Sequence, residues 1–356
     1  MSRPLIILFG FLLFASCSND SQPAAAQRTY RMGFTNSAPR FDDFDLIVQS
    51  LNLWTVRADA AIVNTEVPWK ELYEGMSPVT YVLTNYKGLV DFYRSKNMKL
   101  WVYIDPQNGL DRTADAVALQ NLGKSIAQDE VQAVYRRFVI VMDSLLNPDH
   151  LGLALETNLI RVASPPAIYQ GVKKAANEVA DELNARNRPA PLSVSVQVDV
   201  AWGSLGGTFV GIEQDYADFP FMEELGLSSY PYFETENPDQ LPLNYYSKLI
   251  EGKSLPVFVS EGGWTSGSVN TSSISFTSST QLQEQYVHRH RLLLDEVKAI
   301  AWLQLTFTDI DIASVPAPVP DNLGYFIFLG MVDVNLQPKP ALAAYDEIFN
   351  LKLTVN

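Results

Sequence analysis

Apolar residues in this chain cluster in short runs, separated by longer stretches where apolar and polar positions follow a helical period. The runs are Arg31–Ser37, Ala60–Thr65, Leu100–Asp105, Leu151–Glu156, Leu192–Asp199, Leu227–Tyr232, Pro256–Glu261 and Ile300–Phe307. Most are near-continuously apolar, as parallel strands buried on both faces are. Ala114–Leu146 and Pro165–Asn187 carry amphipathic helical patterns, and Thr280–Lys298 places Leu282, Tyr286, Leu293 and Val297 near helical spacing. Strands alternating with helices predict a parallel sheet. Eight units in about 320 residues average roughly 40 each, which predicts the α/β class and a single (β/α)8 TIM barrel over residues 30–352. A doubly wound open sheet permits the same alternation. No GxGxxG or phosphate-loop motif follows any run, so its nucleotide-binding versions lose their main support.

Two of the runs end in glutamate, Leu151-Gly-Leu-Ala-Leu-Glu156 and Leu255-Pro-Val-Phe-Val-Ser-Glu261. The two lie 261 − 156 = 105 residues apart, or 35 per unit over three units, so they fall on strands 4 and 7. Strand C-termini form the face on which barrel enzymes keep their chemistry. Retaining glycosidases need one carboxylic acid to protonate the leaving oxygen and one carboxylate to attack the anomeric carbon, about 5–5.5 Å apart. Burial and a neighbouring negative charge raise one pKa of such a pair, which keeps that group protonated while its partner is ionised.

Composition narrows the partners. A hydrophobic fraction of 47% and a charged fraction of 19% are those of a packed globular chain. A net charge of −14 argues against phosphate-rich partners such as nucleic acid and fits a substrate without phosphate or sulfate, neutral sugars being one such class. Arg3 and the apolar run Leu5–Phe14 read as a secretory signal too short to span a bilayer. Phe14-Ala-Ser-Cys17 resembles a bacterial lipobox. Residues 1–17 are therefore expected to be a lipoprotein signal with Cys17 lipidated, the alternative being an ordinary secretory signal whose cysteine is incidental, and 18–29 a flexible tether. That places the protein in a bacterial cell envelope, held to a membrane by its lipid. Cys17 is the only cysteine, so no disulfide is available. No metal or cofactor is expected, and a monomer is.

Val259-Ser-Glu-Gly-Gly-Trp264 resembles the nucleophile strand of the glycoside hydrolase clan whose catalytic glutamates sit on strands 4 and 7. It is most similar in flavour to the β-1,3-glucanases of family 17, and the layout is similar to the endo-galactanases of family 53. Gly330-Met-Val-Asp333 and Pro338-Lys-Pro-Ala341 resemble the way clan members finish strand 8 and begin the last helix. Met32-Gly-Phe-Thr35 and Val67-Pro-Trp69 are similar to bacterial lipoproteins loosely assigned to this clan. The resemblance implies Glu156 as general acid/base and Glu261 as nucleophile. One departure stands out. The clan places Asn before the acid/base glutamate to hydrogen-bond the sugar 2-hydroxyl, whereas here that position is Leu155 and the nearest amide is Asn158.

Around the pair, Tyr230 and Tyr232 end strand 6, where they either hydrogen-bond the nucleophile or simply pack. Trp264 and Trp69 either stack on sugar rings or fill core, and Glu66 and Asp105 either bind hydroxyls or cap helices. Asp309 at the end of strand 8 carries the same ambiguity, and Asp199 and Trp202 flank the end of strand 5. His150 precedes strand 4 at the opposite end of the barrel. His288 and His290, two apart on a helix, cannot share a metal and read as solvated. The leading expectation is a retaining glycoside hydrolase. A non-catalytic glycan-binding protein on the same barrel and a transglycosylase remain alternatives. The loops Ser266–Ser279 and Asp309–Asp321 are expected to set specificity.

Overall fold

A computed structural model describes residues 26–204, 208–270 and 275–354. The signal, Cys17 and most of the expected tether lie outside the described residues. Eight parallel strands close into a barrel in the order expected for a TIM barrel. They are β1 (Arg31–Thr35), β2 (Ala60–Glu66), β3 (Lys99–Asp105), β4 (His150–Gly152), β5 (Leu192–Gln197), β6 (Glu224–Ser229), β7 (Val257–Gly262) and β8 (Ala301–Gln304). Helices α1 (Phe44–Thr55), α2 (Gly88–Ser95), α3 (Asp129–Leu146), α4 (Pro166–Ala185), α5 (Glu213–Asp218), α6 (Thr280–Val297) and α7 (Pro340–Phe349) return the chain. Between β6 and β7 the crossover makes only 3-10 turns, such as Ser247–Ile250.

Local chemistry starts and stops these elements. Asp43 caps α1 by accepting from the Leu46 N–H, and Ser279 caps α6 through the Leu282 N–H. Helices α3 and α6 end at Asn147 and Lys298 in the left-handed conformation, which releases the chain from the helix. The expected helix Ala114–Leu146 is corrected at its start. Asp111–Asp115 is one arm of a hairpin with Gln107–Asn108, and α3 begins only at Asp129. The tether also ends early, because Gln27–Arg28 pairs with Lys352–Leu353 beneath the barrel. There Arg28 is ion-paired to Asp59 at 2.7 Å and donates to the Tyr30 carbonyl.

The barrel encloses its own core, separate from the layer between strands and helices. Ala60, Ile62, Trp101, Tyr103, Leu155, Phe258, Ala301 and Leu303 fill the lumen. At its N-terminal end His150 stacks on Trp101 at 3.8 Å and meets Glu224 at 2.7 Å, away from the strand C-termini, as expected. Tyr103 crosses the lumen to hydrogen-bond Ser193 at 2.8 Å. Gly152 and Gly226 make that crossing possible. A Cβ on the first would lie 2.3 Å from the Tyr103 ring, and one on the second 2.4 Å from its hydroxyl.

Overpacking of this kind costs about 1–3 kcal/mol. Gly226→Ala is expected to lower unfolding free energy by that order in a urea titration. Gly88→Ala, with open space around its Cβ, is expected to be neutral or to gain up to about 1 kcal/mol. Equal effects at the two positions would refute the lumen-packing account.

Candidate active site

Strand β4 is much shorter than expected, and Glu156 lies beyond it as the residue before the short helix Thr157–Ala163. Its φ is +50°, the left-handed region that costs a non-glycine residue about 1–3 kcal/mol. Neighbouring bonds hold it there. The Glu156 N–H donates to Ser195 Oγ at 2.9 Å and its carbonyl accepts from the Ile160 N–H at 3.0 Å. Thr157 and Arg161 are both tied to the buried Asp215.

Glu261 is aimed by a different device. Strand β7 shifts register against β6 between Val259 and Glu261, so that Glu261 comes opposite Ser228. A regular strand alternates faces, and Phe258 points into the lumen. Without the bulge Ser260, not Glu261, would share that face. Bulges beside active sites re-aim side chains in this way. Gly262 and Gly263 follow with φ of +145° and +148°, and a Cβ on Gly262 would meet the Ser229 carbonyl at 2.2 Å. The Glu-Gly-Gly run therefore has a steric reason.

The two carboxyls meet at one hydroxyl. Ser228 Oγ lies 2.6 Å from Glu156 Oε1 and 2.9 Å from Glu261 Oε1. Those two distances sum to 5.5 Å, which caps the separation of the two oxygens. Arg112, from the hairpin after β3, donates through Nε to Glu156 Oε2 at 2.9 Å and through its Nη1 to Asp105 Oδ2 at 2.5 Å. Arg112, Asp105, Glu156 and Glu261 are all buried, and Asn64 Nδ2 is 3.5 Å from Glu261 Oε2. Burial, reinforced by the charge of Glu156, pushes the Glu261 carboxyl up to about 8. Burial also raises Asp105, although Arg112 opposes it. For Arg112 itself burial works against the charge, but Asp105 and Glu156 outweigh it.

Other expected residues divide. Asp105 joins the site directly. Glu66 accepts from the Gly109 N–H at 2.9 Å and so steadies the turn of the Arg112 hairpin. Tyr230 lies near enough for both glutamates to add to the burial that raises its phenol. Tyr232 instead donates to the Tyr325 carbonyl at 3.1 Å and packs on Phe233 and Phe276, under the loop that follows β8. Asn158 is corrected: it is 1% exposed, and its amide both donates to the Gln197 carbonyl and accepts from the Gln197 N–H, each at 2.8 Å. Buried in this way, the amide faces the Gln197 backbone and not a ligand. Trp69 and Trp264 are each 1% exposed and belong to the core, the latter lying against Tyr286 with its Nε1 on Ser278. Neither offers a ring face.

Asp309 is a structural clasp, bonded to Lys339 at 2.5 Å and to the Gly330 N–H. Met331 and Val332 return to pair with the chain after β8 rather than ending that strand, although Pro340 does open α7 as expected. Asp199, buried and bonded to Tyr245 and the Tyr230 N–H, is raised to about 7, chiefly by burial. His290 is corrected as well. It is fully buried among Tyr286, Tyr246 and Trp302, which pulls its imidazole down to about 3, whereas His288 is exposed. Arg112 and Ser228 escaped sequence reasoning, since an arginine in a polar loop and a serine in a strand carry no distinguishing pattern. Between the two expected specificity loops a cavity of about 580 Å³ is lined by Ser268, Asn270, Ile312, Val319, Asp321 and Ile327, among others.

No family model matches the sequence, and no curated protein sequence matches it. Solved structures do. GH5_18 from Bifidobacterium longum subsp. longum aligns with a TM-score of 0.63 and 14% identity, over 92% of this chain and 81% of that one. An exo-β-1,4-mannosidase from Opitutaceae bacterium strain TAV5 aligns at 0.62 and 17% identity, over 92% and 60%. A β-glucuronidase from an uncultured Clostridium aligns at 0.58 and 15% identity over 90% of this chain, which spans only about half (50%) of that enzyme. The chain therefore shares the TIM-barrel fold of these glycoside hydrolases.

The position of the Glu261 proton has a consequence for stability. Its folded pKa of about 8 lies above the ordinary glutamate value of 4.5. The stabilising contribution of the protonated carboxyl is therefore complete below about 4.5 and lost as pH rises towards 8. Thermal unfolding followed by circular dichroism is expected to show Tm falling across that window. In Glu261→Gln the fall is expected to be shallower, the remainder coming from Asp199 and Asp309 among the other raised carboxyls, and Tm at pH 8 to exceed that of the parent. Parallel pH curves for the two proteins would contradict this proton placement.

Proposed function

We propose that this chain is a retaining glycoside hydrolase in which Glu156 is the general acid/base and Glu261 the nucleophile. The observation that carries the reading is the pair of buried carboxyls at the strand C-termini, their nearer oxygens no more than 5.5 Å apart across Ser228. That bound supports the retaining reading, because an inverting pair needs about 6.5–9.5 Å between its carboxyls to admit a water. Glu156, protonated, gives its proton to the glycosidic oxygen as the bond to the anomeric carbon breaks. Glu261, ionised, attacks that carbon and forms a glycosyl ester. Water then adds with Glu156 as base, and the ester bond breaks. Thr35 Oγ1 and Asn64 Oδ1, in register with lumen-facing Ile62 and Tyr103, are buried without partners among the described residues and are suited to sugar hydroxyls. A variant of the Bifidobacterium protein was solved with Manβ1-4GlcNAc, which supports a carbohydrate ligand here. We further propose a lipid anchor at Cys17 and a place in the bacterial cell envelope, with the barrel acting as a monomer.

Non-catalytic glycan binding is the second reading. It draws support from the Arg112 ion pair on Glu156 and from an Asn158 amide already spent on backbone. A panel of oligosaccharides and aryl glycosides separates the two. Hydrolysis is expected with retained anomeric configuration by NMR. Glu156→Gln and Glu261→Gln are each expected to lower kcat/KM by roughly 10²–10⁴-fold, with Glu156→Gln least impaired on substrates whose leaving group needs no protonation. Binding without turnover, unchanged in Glu261→Gln, would replace the hydrolase reading with the second one.

A further inference from the structure

Ser228 stands in an unusual position between the two glutamates. A serine hydroxyl has one proton to donate and lone pairs to accept with. Its oxygen is within hydrogen-bond distance of a carboxyl oxygen on each side, at 2.6 Å and 2.9 Å. It can donate to only one of them. If both carboxyls were ionised, the other would face a lone pair at close range with no proton between. If both were protonated, the hydroxyl proton would have no anionic acceptor. With a single proton in the pair the chain completes itself: the protonated carboxyl donates to Ser228 Oγ, and Ser228 donates to the carboxylate.

We propose that Ser228 is a positioning residue that holds Glu156 and Glu261 as a pair carrying one shared proton, in either of two directions. The proposal rests on the hydrolase reading for its role in turnover, but not for its geometry. In the free protein Arg112 binds Glu156 Oε2, so the proton rests on Glu261. The opposite direction is the one that the chemistry requires. The O–H bond on Glu261 breaks as one forms on Ser228 Oγ. The original Ser228 O–H bond breaks as one forms on Glu156. The pair has then become Glu156 acid and Glu261 carboxylate, with no proton gained or lost. The hydroxyl stabilises both directions against loss of the proton and against uptake of a second. Its function is therefore to widen the pH interval over which the pair holds one proton.

Backbone register makes this arrangement specific. Ser228 pairs with Gln197 of β5 on one side and, across the bulge, with Glu261 of β7 on the other. Tyr103 and Asp105 from β3, Arg112 from the hairpin and Tyr230 after β6 also bear electrostatically on the pair. All of them stay in place when only Ser228 is changed.

The test is an infrared titration of the protonated-carboxyl band in the full-length parent, in Ser228→Ala and in Ser228→Thr, with Glu261→Gln identifying the band. In the parent the band is expected to persist at pH 7. In Ser228→Ala the interval between the two proton losses is expected to shrink by at least about one pH unit, the equivalent of one hydrogen bond to a charged group. Ser228→Thr, which keeps the hydroxyl, is expected to restore most of it. On a cleaved glycoside the bell of kcat/KM against pH is expected to narrow on both limbs in Ser228→Ala. A merely structural serine would lower activity without narrowing the bell. An unchanged interval in folded Ser228→Ala, or no band at pH 7 in the parent or in Ser228→Thr, would overturn the proposal. Because the titration needs no turnover, a narrowed interval in a protein that cleaves no glycoside would uphold Ser228 and sink the hydrolase reading.

Discussion

Two carboxyl groups buried side by side at the mouth of a barrel are the constraint around which the upper half of this protein is organised. Each ionised carboxylate loses hydration on burial, and each raises the cost of ionising the other. The chain answers with one cation and one hydroxyl. Arg112 is closed between Asp105 and Glu156, and Ser228 is placed between Glu156 and Glu261. Removing the cation from such a cluster leaves buried charge uncompensated, a defect that typically costs about 3–5 kcal/mol. The left-handed backbone at Glu156 and the bulge before Glu261 belong to the same arrangement. Each is a local cost that persists because it directs a carboxyl to the same point.

Below the pair the barrel is solid. Tyr103 spans the lumen through the space left by two glycines, and His150 stacks on Trp101 at the far end. Above it, loops are tied down by polar clasps and aromatic packing. Lys339 binds Asp309, Ser266 and the Gly330 carbonyl, which joins the loops after β7 and β8 at the start of α7. Tyr230, Tyr232, Phe233 and Phe326 pack together beneath the second of these loops. Aromatic residues near the site thus support the loops above it. Among the described residues Thr35 Oγ1 and Asn64 Oδ1 are buried polar atoms without a hydrogen-bond partner, and Asn64 Nδ2 lies 3.5 Å from Glu261 Oε2.

Much of this was legible in the chain. Short runs marked the barrel strands, most of them near-continuously apolar, because a parallel strand is covered on both faces and has little room for polar side chains. The spacing of Glu156 and Glu261 placed them on strands 4 and 7 even though β4 stops at Gly152. Strand limits were less secure. Strand β6 starts at Glu224, three residues before its apolar run, because Glu224 finds His150 inside the lumen and a satisfied buried acid looks polar in sequence.

Residue type and position along the chain marked the strand-forming runs and the two glutamates that close the fourth and seventh of them. They could not say which way a side chain points or which partner occupies it. Asn158, Trp69 and Trp264 have the chemistry of sugar contacts, yet their polar groups or ring faces are already committed to backbone or core. Arg112 and Ser228 have no motif, yet they come to rest against the two glutamates from the hairpin after β3 and from β6. Burial and hydrogen-bond occupancy arise from contacts between residues far apart in the chain, 72 positions for Ser228 and Glu156 and 197 for Asn64 and Glu261. Such contacts exist only once the barrel has closed.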